Sequence, residues 1–252
     1  MDVKWIESRQ NKQFKSWCKL LKKRGRVTAE SYLLEGFHLV EEALKESGSV
    51  QAILLDEKQE LLFNVDASIQ VYKLKRELFQ TLISTEHSQG ILAVCKIHHA
   101  PWYPQRGQRL LLLDAIQDPG NLGTLIRTAD AAGLDAVILG DGCVDPYNDK
   151  VLRSAQGSHG HISVIQRNLF EVIIQLKAEQ LPIYGTSLQG EPLSSDNRSN
   201  SFALLMGNEA SGVQSDLLRE ATAILKIPIY GRAESLNVAV AAGILMYFLR
   251  DL

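Results

Sequence analysis

The sequence predicts an α/β protein in two parts: a small α/β domain over residues 1–100, a linker at 101–107, and a larger domain over 108–252 built on a parallel sheet. Two observations carry this. After residue 108, short apolar runs alternate with helical stretches, the pattern of a parallel sheet covered on both faces. Between the parts, His98-His99-Ala100-Pro101-Trp102-Tyr103-Pro104-Gln105-Arg106-Gly107 sets two prolines and a glycine between strand-like runs. Proline fixes φ and removes a donor, so this stretch suits neither a helix nor a central strand.

In the first part, Asn11 to Leu21 reads as a basic helix. Phe37, Val40, Glu41 and Leu44 follow Glu35-Gly36 at the spacing of a second helix. Apolar runs at 50–55, 69–72 and 91–97 read as strands. In the second part, strands are expected at 110–113, 136–139, 162–165, 183–184, 202–206 and 223–229. A last helix from Leu236 to Leu249 is apolar on several sides, as a buried helix is.

Composition narrows the function. The chain has 252 residues, 27 Lys+Arg against 29 Asp+Glu, and 45% hydrophobic residues, which suits a globular core without disulfide staples. No apolar run approaches the ~20 residues of a spanning helix, and Met1-Asp2-Val3-Lys4-Trp5 lacks the apolar stretch of a secretory signal, so a cytoplasmic protein is expected. Cys18, Cys95 and Cys143 are expected as buried thiols. The six histidines show no metal-ligand spacing, and no metal is expected. From Lys4 to Arg26 nine basic residues face Glu7 alone. Such a cluster on a balanced chain suits either polyanion docking or a solvated helix face.

Ligands of open parallel sheets gather beyond the carboxyl ends of the strands. Four polar segments are expected to share that edge: 114–123, 185–187, 207–212 and 228–237. None is a G-x-x-x-x-G-K-[ST] or G-x-G-x-x-G cradle, which argues against a nucleoside triphosphate or dinucleotide there. Asn121 is placed to cap a helix that Gly133 ends. That helix carries Arg127 on Asn121-Leu122-Gly123-Thr124-Leu125-Ile126-Arg127-Thr128-Ala129. The other two segments are Gly207-Asn208-Glu209-Ala210-Ser211-Gly212 and Ile227-Pro228-Ile229-Tyr230-Gly231-Arg232-Ala233-Glu234-Ser235-Leu236-Asn237.

Together, in this order and spacing, these segments resemble the three motifs of the SpoU (TrmH-like) branch of the SPOUT RNA methyltransferases. Ser8-Arg9-Gln10-Asn11, Leu34-Glu35-Gly36 and Glu41-Glu42-Ala43-Leu44 resemble the ribosomal-protein-like (L30e-like) substrate-binding domain of many members. The resemblance implies S-adenosylmethionine as methyl donor, a ribose 2′-hydroxyl of structured RNA as acceptor, a deep C-terminal trefoil knot and a homodimer. It assigns catalysis to Arg127, with Asn121, Glu209, Ser235 and Asn237 around it, and cofactor binding to Thr186, Gly207, Ile227, Ile229 and Leu236.

Physically, aliphatic side chains beside glycine-rich backbone suit an adenine slot, although the same aliphatics would serve a core. Glu209 would also suit a helix N-terminus, and Asn237 a helix cap. A guanidinium with a pKa above ~12 is a poor general base, so Arg127 positions a phosphate more readily than it removes a proton. Alanine after Glu209, where many relatives have glycine, makes a positive φ costly there. Lys12, Lys15, Lys22, Lys23, Arg24 and Arg153 are assigned to RNA. Ribosomal RNA is favoured over transfer RNA, and no membrane contact is expected. The rival reading is a non-catalytic RNA-binding or ribosome-assembly protein on the same scaffold.

Overall fold

The computed structural model describes residues 3–98 and 102–250 and divides into two compact units, Met1–His99 with Tyr147–Arg153, and Ala100–Pro146 with Ser154–Leu252. Of the expected linker, Pro101 lies outside the described residues, as do His99 and Ala100 before it. Trp102–Gln105 has no regular structure.

The first unit runs β1 (Val3–Ile6), α1 (Lys12–Leu20), α2 (Lys23–Ala29), β2 (Ser31–Glu35), α3 (Phe37–Lys45), β3 (Val50–Asp56), β4 (Gln70–Leu74), α4 (Arg76–Leu82) and β5 (Ile91–Lys96). The sheet order is β1-β4-β3-β5-β2, with β4 parallel to both β1 and β3, and β5 antiparallel to β3 and β2. Period-two alternation along β3 supplies two cores. Ile53 and Leu55 join Leu39 and Val40 of α3, while Leu54 joins Phe14 and Trp17 of α1 and Phe79 of α4. Asn11 caps α1, its Oδ1 accepting from the N–H groups of Gln13 (2.8 Å) and Phe14 (3.3 Å). Phe14, Trp17 and Leu20 turn inward, and Lys12, Lys15 and Lys19 stay exposed.

Helix α2 was not expected from the sequence, because Gly25 interrupts the pattern. A Cβ at Gly25 would lie 1.9 Å from the Lys19 carbonyl oxygen, so glycine is what lets α2 pack on α1. Arg26 is buried there and donates to the Leu20 carbonyl oxygen at 2.7 Å. It therefore serves the end of α1 and drops out of the exposed basic cluster.

The second unit contains β6 (Arg109–Leu113), α5 (Pro119–Ala131), β7 (Ala136–Leu139), α6 (Asp149–Ala155, shared with the first unit), β8 (Ser163–Gln166), α7 (Leu169–Ala178), β9 (Ile183–Pro192), β10 (Phe202–Met206), α8 (Ser215–Arg219), β11 (Ala223–Lys226) and α9 (Val238–Leu249). Its sheet has the order β11-β9-β10-β6-β7-β8, and every pair is parallel. Leu110, Leu112, Ala203 and Leu205 pack with Val172, Ile173 and Leu176 of α7. Helix α9 packs on α5 and β10. Residues of the central β6 and β10 are buried on both faces, which is why they read as unbroken apolar runs.

Two boundaries differ from expectation. Residues 185–187 lie inside β9 rather than in a loop, and β11 stops at Lys226 because Pro228 has no N–H to continue the ladder. Only Cys95 is fully buried, while Cys18 and Cys143 are half-buried. Burial pushes the thiols of Cys95 and Cys143 up to about 12 and about 11.

Candidate active site

Because β6, β10 and β11 run parallel, the turns that follow them emerge at one edge of the sheet. The first turn enters α5. Its cap is Asp118, whose Oδ1 accepts the Asn121 N–H at 2.8 Å, and Pro119 occupies the first helical turn, where its missing N–H does no harm. The expectation that Asn121 caps α5 is thereby corrected, and its side chain is released for other partners.

Those partners come from the other two turns. Asn121 Nδ2 donates to Glu209 Oε1 at 2.8 Å, and Asn237 Nδ2 donates to Asn121 Oδ1 at 2.9 Å. Glu209, Asn121 and Asn237 thus form one hydrogen-bonded chain across three segments that are 88 and 116 residues apart in sequence. Asn237 also caps α9, accepting from the N–H groups of Ala239 (2.9 Å) and Val240 (3.3 Å), so one side chain both caps the helix and joins the three-turn chain. Glu209 starts no helix. It sits in an exposed turn closed by reciprocal backbone bonds between Asn208 and Gly212.

Arg127 is not part of that chain. It lies six residues beyond Asn121, about 9 Å along α5. It is exposed and has no hydrogen-bond or ion-pair partner among the described residues. A permanently charged guanidinium left open in this way has the chemistry to take an anion.

The expected cofactor residues are placed unevenly. Ile227 and Ile229 are half-buried in the turn after β11, while Ser235 and Leu236 are exposed further along it. Thr186 donates from Oγ1 to the Leu205 carbonyl oxygen at 3.1 Å, inside β9. Gly207 is buried, and a Cβ there would lie 2.1 Å from the Val213 nitrogen, so the turn's own backbone demands glycine. Gly231 has open space and no such demand. Ala210 avoids the strain expected of it, since only Gly212 in that turn has positive φ (71°). Aliphatics that remain partly open beside polar backbone at this edge fit the adenosyl part of S-adenosylmethionine.

In the first unit, Lys12, Lys15, Lys22, Lys23 and Arg24 are all exposed, with Lys15 Nζ donating to Gln10 Oε1 at 2.5 Å. Arg153 is restrained by Asp149 Oδ2 at 2.9 Å and Ser84 Oγ at 2.6 Å. No group of three metal-ligating side chains occurs among the described residues, and none of their helices is long and apolar enough to cross a membrane.

Sequence reasoning missed Asp114, Asn208 and Gln214, which join the first two turns. A carboxylate directly after four leucines was the available signal.

Residues 108–247 match the SpoU rRNA methylase family, and residues 11–93 match an MRM3-like substrate-binding domain. The chain belongs to the SpoU rRNA methylase family. Like the family, it is an S-adenosylmethionine-dependent RNA ribose 2′-O-methyltransferase, and nothing favours a non-catalytic scaffold. A Bacillus subtilis relative, 23S rRNA (guanosine(2553)-2′-O)-methyltransferase RlmP, is 51% identical over 98% of this chain and 100% of its own. The AdoMet-bound rRNA methyltransferase of Sinorhizobium meliloti superposes with a TM-score of 0.87 at 31% identity, over 98% of this chain and 97% of that one. The SpoU methyltransferase AviRb of Streptomyces viridochromogenes, in complex with AdoMet, gives 0.83 at 25% identity, over 95% and 97%. This SpoU methylase thus has its SPOUT-type parallel sheet preceded by an α/β substrate-binding domain.

Proposed function

We propose that this SpoU methylase acts in the cytoplasm on the 2′-hydroxyl of one guanosine of 23S rRNA. The observation that carries the substrate is the 51% identity that runs the full length of the Bacillus subtilis enzyme, substrate-binding domain included.

The bound cofactor supplies an electrophilic methyl group on a sulfonium. Ile227, Ile229 and Leu236 hold its adenosyl part, with Thr186 and the Gly207 turn beside them. Arg127, without a partner among the described residues, takes the phosphate next to the reacting ribose and fixes the hydroxyl in line. Asn121, Glu209 and Asn237 lock three turns into one register, and Glu209 accepts or relays the hydroxyl proton, with Ser235 of the third turn as a further polar group. Lys12, Lys15, Lys22, Lys23 and Arg24 contact phosphates and set the register of the RNA, and Arg153 adds a further contact.

Val240, Ile244 and Tyr247 leave an exposed apolar face on α9. Burial against a second copy accounts for it, and supports the homodimer. The trefoil knot belongs to the same reading and rests on the family resemblance.

The test is a map of 2′-O-methyl sites in total RNA from a strain lacking the gene and from its parent. Loss at a single 23S guanosine is expected. Loss in transfer RNA, or no loss, overturns the proposal.

A further inference from the structure

The turn that carries Glu209 is pinned by a buried group that the chemistry above does not use. Asp114 directly follows β6 at 2% exposure. Its Oδ2 accepts the backbone N–H of Gln214 and its Oδ1 accepts Gln214 Nε2, both at 2.8 Å. Its own N–H donates to the carbonyl oxygen of Met206, the last residue of β10, at 2.9 Å. One residue therefore holds both ends of segment 207–214.

The middle is held from the same side. Asn208 Nδ2 donates to the Ala115 carbonyl oxygen at 2.9 Å, and Asn208 Oδ1 accepts from the N–H groups of Ala210 (2.9 Å) and Ser211 (3.2 Å). Ala115 adopts φ +54°, a left-handed conformation that a residue with a Cβ resists. That strain persists where the Asp114 and Asn208 contacts surround it. Gln214 precedes α8, yet its side chain does not cap that helix and goes to Asp114 instead. Residues 209–211 are left as an exposed tip, and from that tip Glu209 reaches Asn121.

We propose that Asp114, acting through Gln214, is a positioning residue for methyl transfer: it sets the Glu209 tip against Asn121. The inference rests on the role given to Glu209 above. A buried carboxylate that accepts two N–H groups from one residue holds that residue more firmly than a neutral acceptor would. Without it, a three-residue exposed tip would sample many conformations in which Glu209 and Asn121 do not meet.

The test uses the full-length enzyme, labelled S-adenosylmethionine and 23S rRNA from the strain lacking the gene. Gln214→Leu removes the Nε2 bond and keeps the backbone bond. It is expected to lower kcat about tenfold, the size of one charge-assisted hydrogen bond, with KM for the cofactor within about twofold. In a Glu209→Gln background the same change should cost less than about twofold, because the group it positions is already gone. Gln214→Glu sets two carboxylates face to face. Protonation of one restores the hydrogen bond, so the variant's activity relative to wild type should climb from pH 8 to pH 6.

Additive losses in the Glu209→Gln background, or a fall in activity that only follows the folded fraction in a thermal melt, would overturn the role. Should Gln214→Leu fail to fold, the pH ratio of Gln214→Glu decides, and a flat ratio overturns it. Failure of the wild-type enzyme to methylate the RNA would instead remove the proposed function, and this role with it.

Discussion

Asn121→Asp is the sharpest perturbation of the three-turn chain, because it alters one bond and spares the other. The Oδ1 that accepts from Asn237 is retained, while the Nδ2 donor to Glu209 becomes an oxygen. Two carboxylate oxygens at the present 2.8 Å repel by about 1.5 kcal/mol at the dielectric of water, the right limit for so exposed a Glu209. The lost hydrogen bond to a charged group adds about 1.5 kcal/mol at the low end of its range. About 3 kcal/mol, if expressed in the transition state, slows transfer about 150-fold. Single-turnover methylation at saturating cofactor reads this directly. The double variant Asn121→Asp with Glu209→Gln restores a donor and acceptor pair with the charge on the other side, so it should recover the thermal stability lost by the single variant, although not the rate, since the Glu209 carboxylate is gone. A single variant within about twofold of wild type, or a swap that recovers nothing, refutes the linkage between these turns.

Arg127→Ala should abolish transfer while cofactor binding by calorimetry and the thermal melt stay near wild type, and undiminished turnover would remove Arg127 from the reaction. Reversing charge at Lys22, Lys23 and Arg24 should weaken RNA binding and flatten its dependence on salt by about three phosphate contacts, measured by filter binding across a salt series. His159 gives a pH signature: burial pulls its imidazole down to about 4, with the Pro146 carbonyl 2.9 Å from Nε2. The unfolded chain, with an ordinary value of 6.5, takes up the proton first. Stability is therefore full above about pH 6.5 and declines as pH falls toward 4, by up to about 2 kcal/mol between pH 7 and 5. In His159→Gln that part of the pH dependence of the melt should vanish, and an unchanged slope would place its origin elsewhere.

Periodicity and punctuation settled much of this protein in advance. The unbroken apolar runs of β6 and β10 have the length of strands covered on both faces, and their alternation with helices pointed to a parallel sheet. Parallel strands send their following turns to one edge, so the neighbourhood of Asn121, Glu209 and Asn237 followed from local patterns. Helix α2 and its inward Arg26 were hidden, because a glycine that breaks a helical pattern in sequence is here what close helix packing requires.

Which group bonds to which was a tertiary matter. Asn121 carries the residue type of a helix cap, and only coordinates reveal that Asp118 takes that place and turns Asn121 toward Glu209. Asp114 read as the first residue of a polar segment until Gln214, a hundred residues later, was brought against it. Sequence patterns encode which side chains face a core, because burial repeats with the period of the element. Hydrogen bonds between distant turns have no period, and their partners are chosen by the three-dimensional path of the chain.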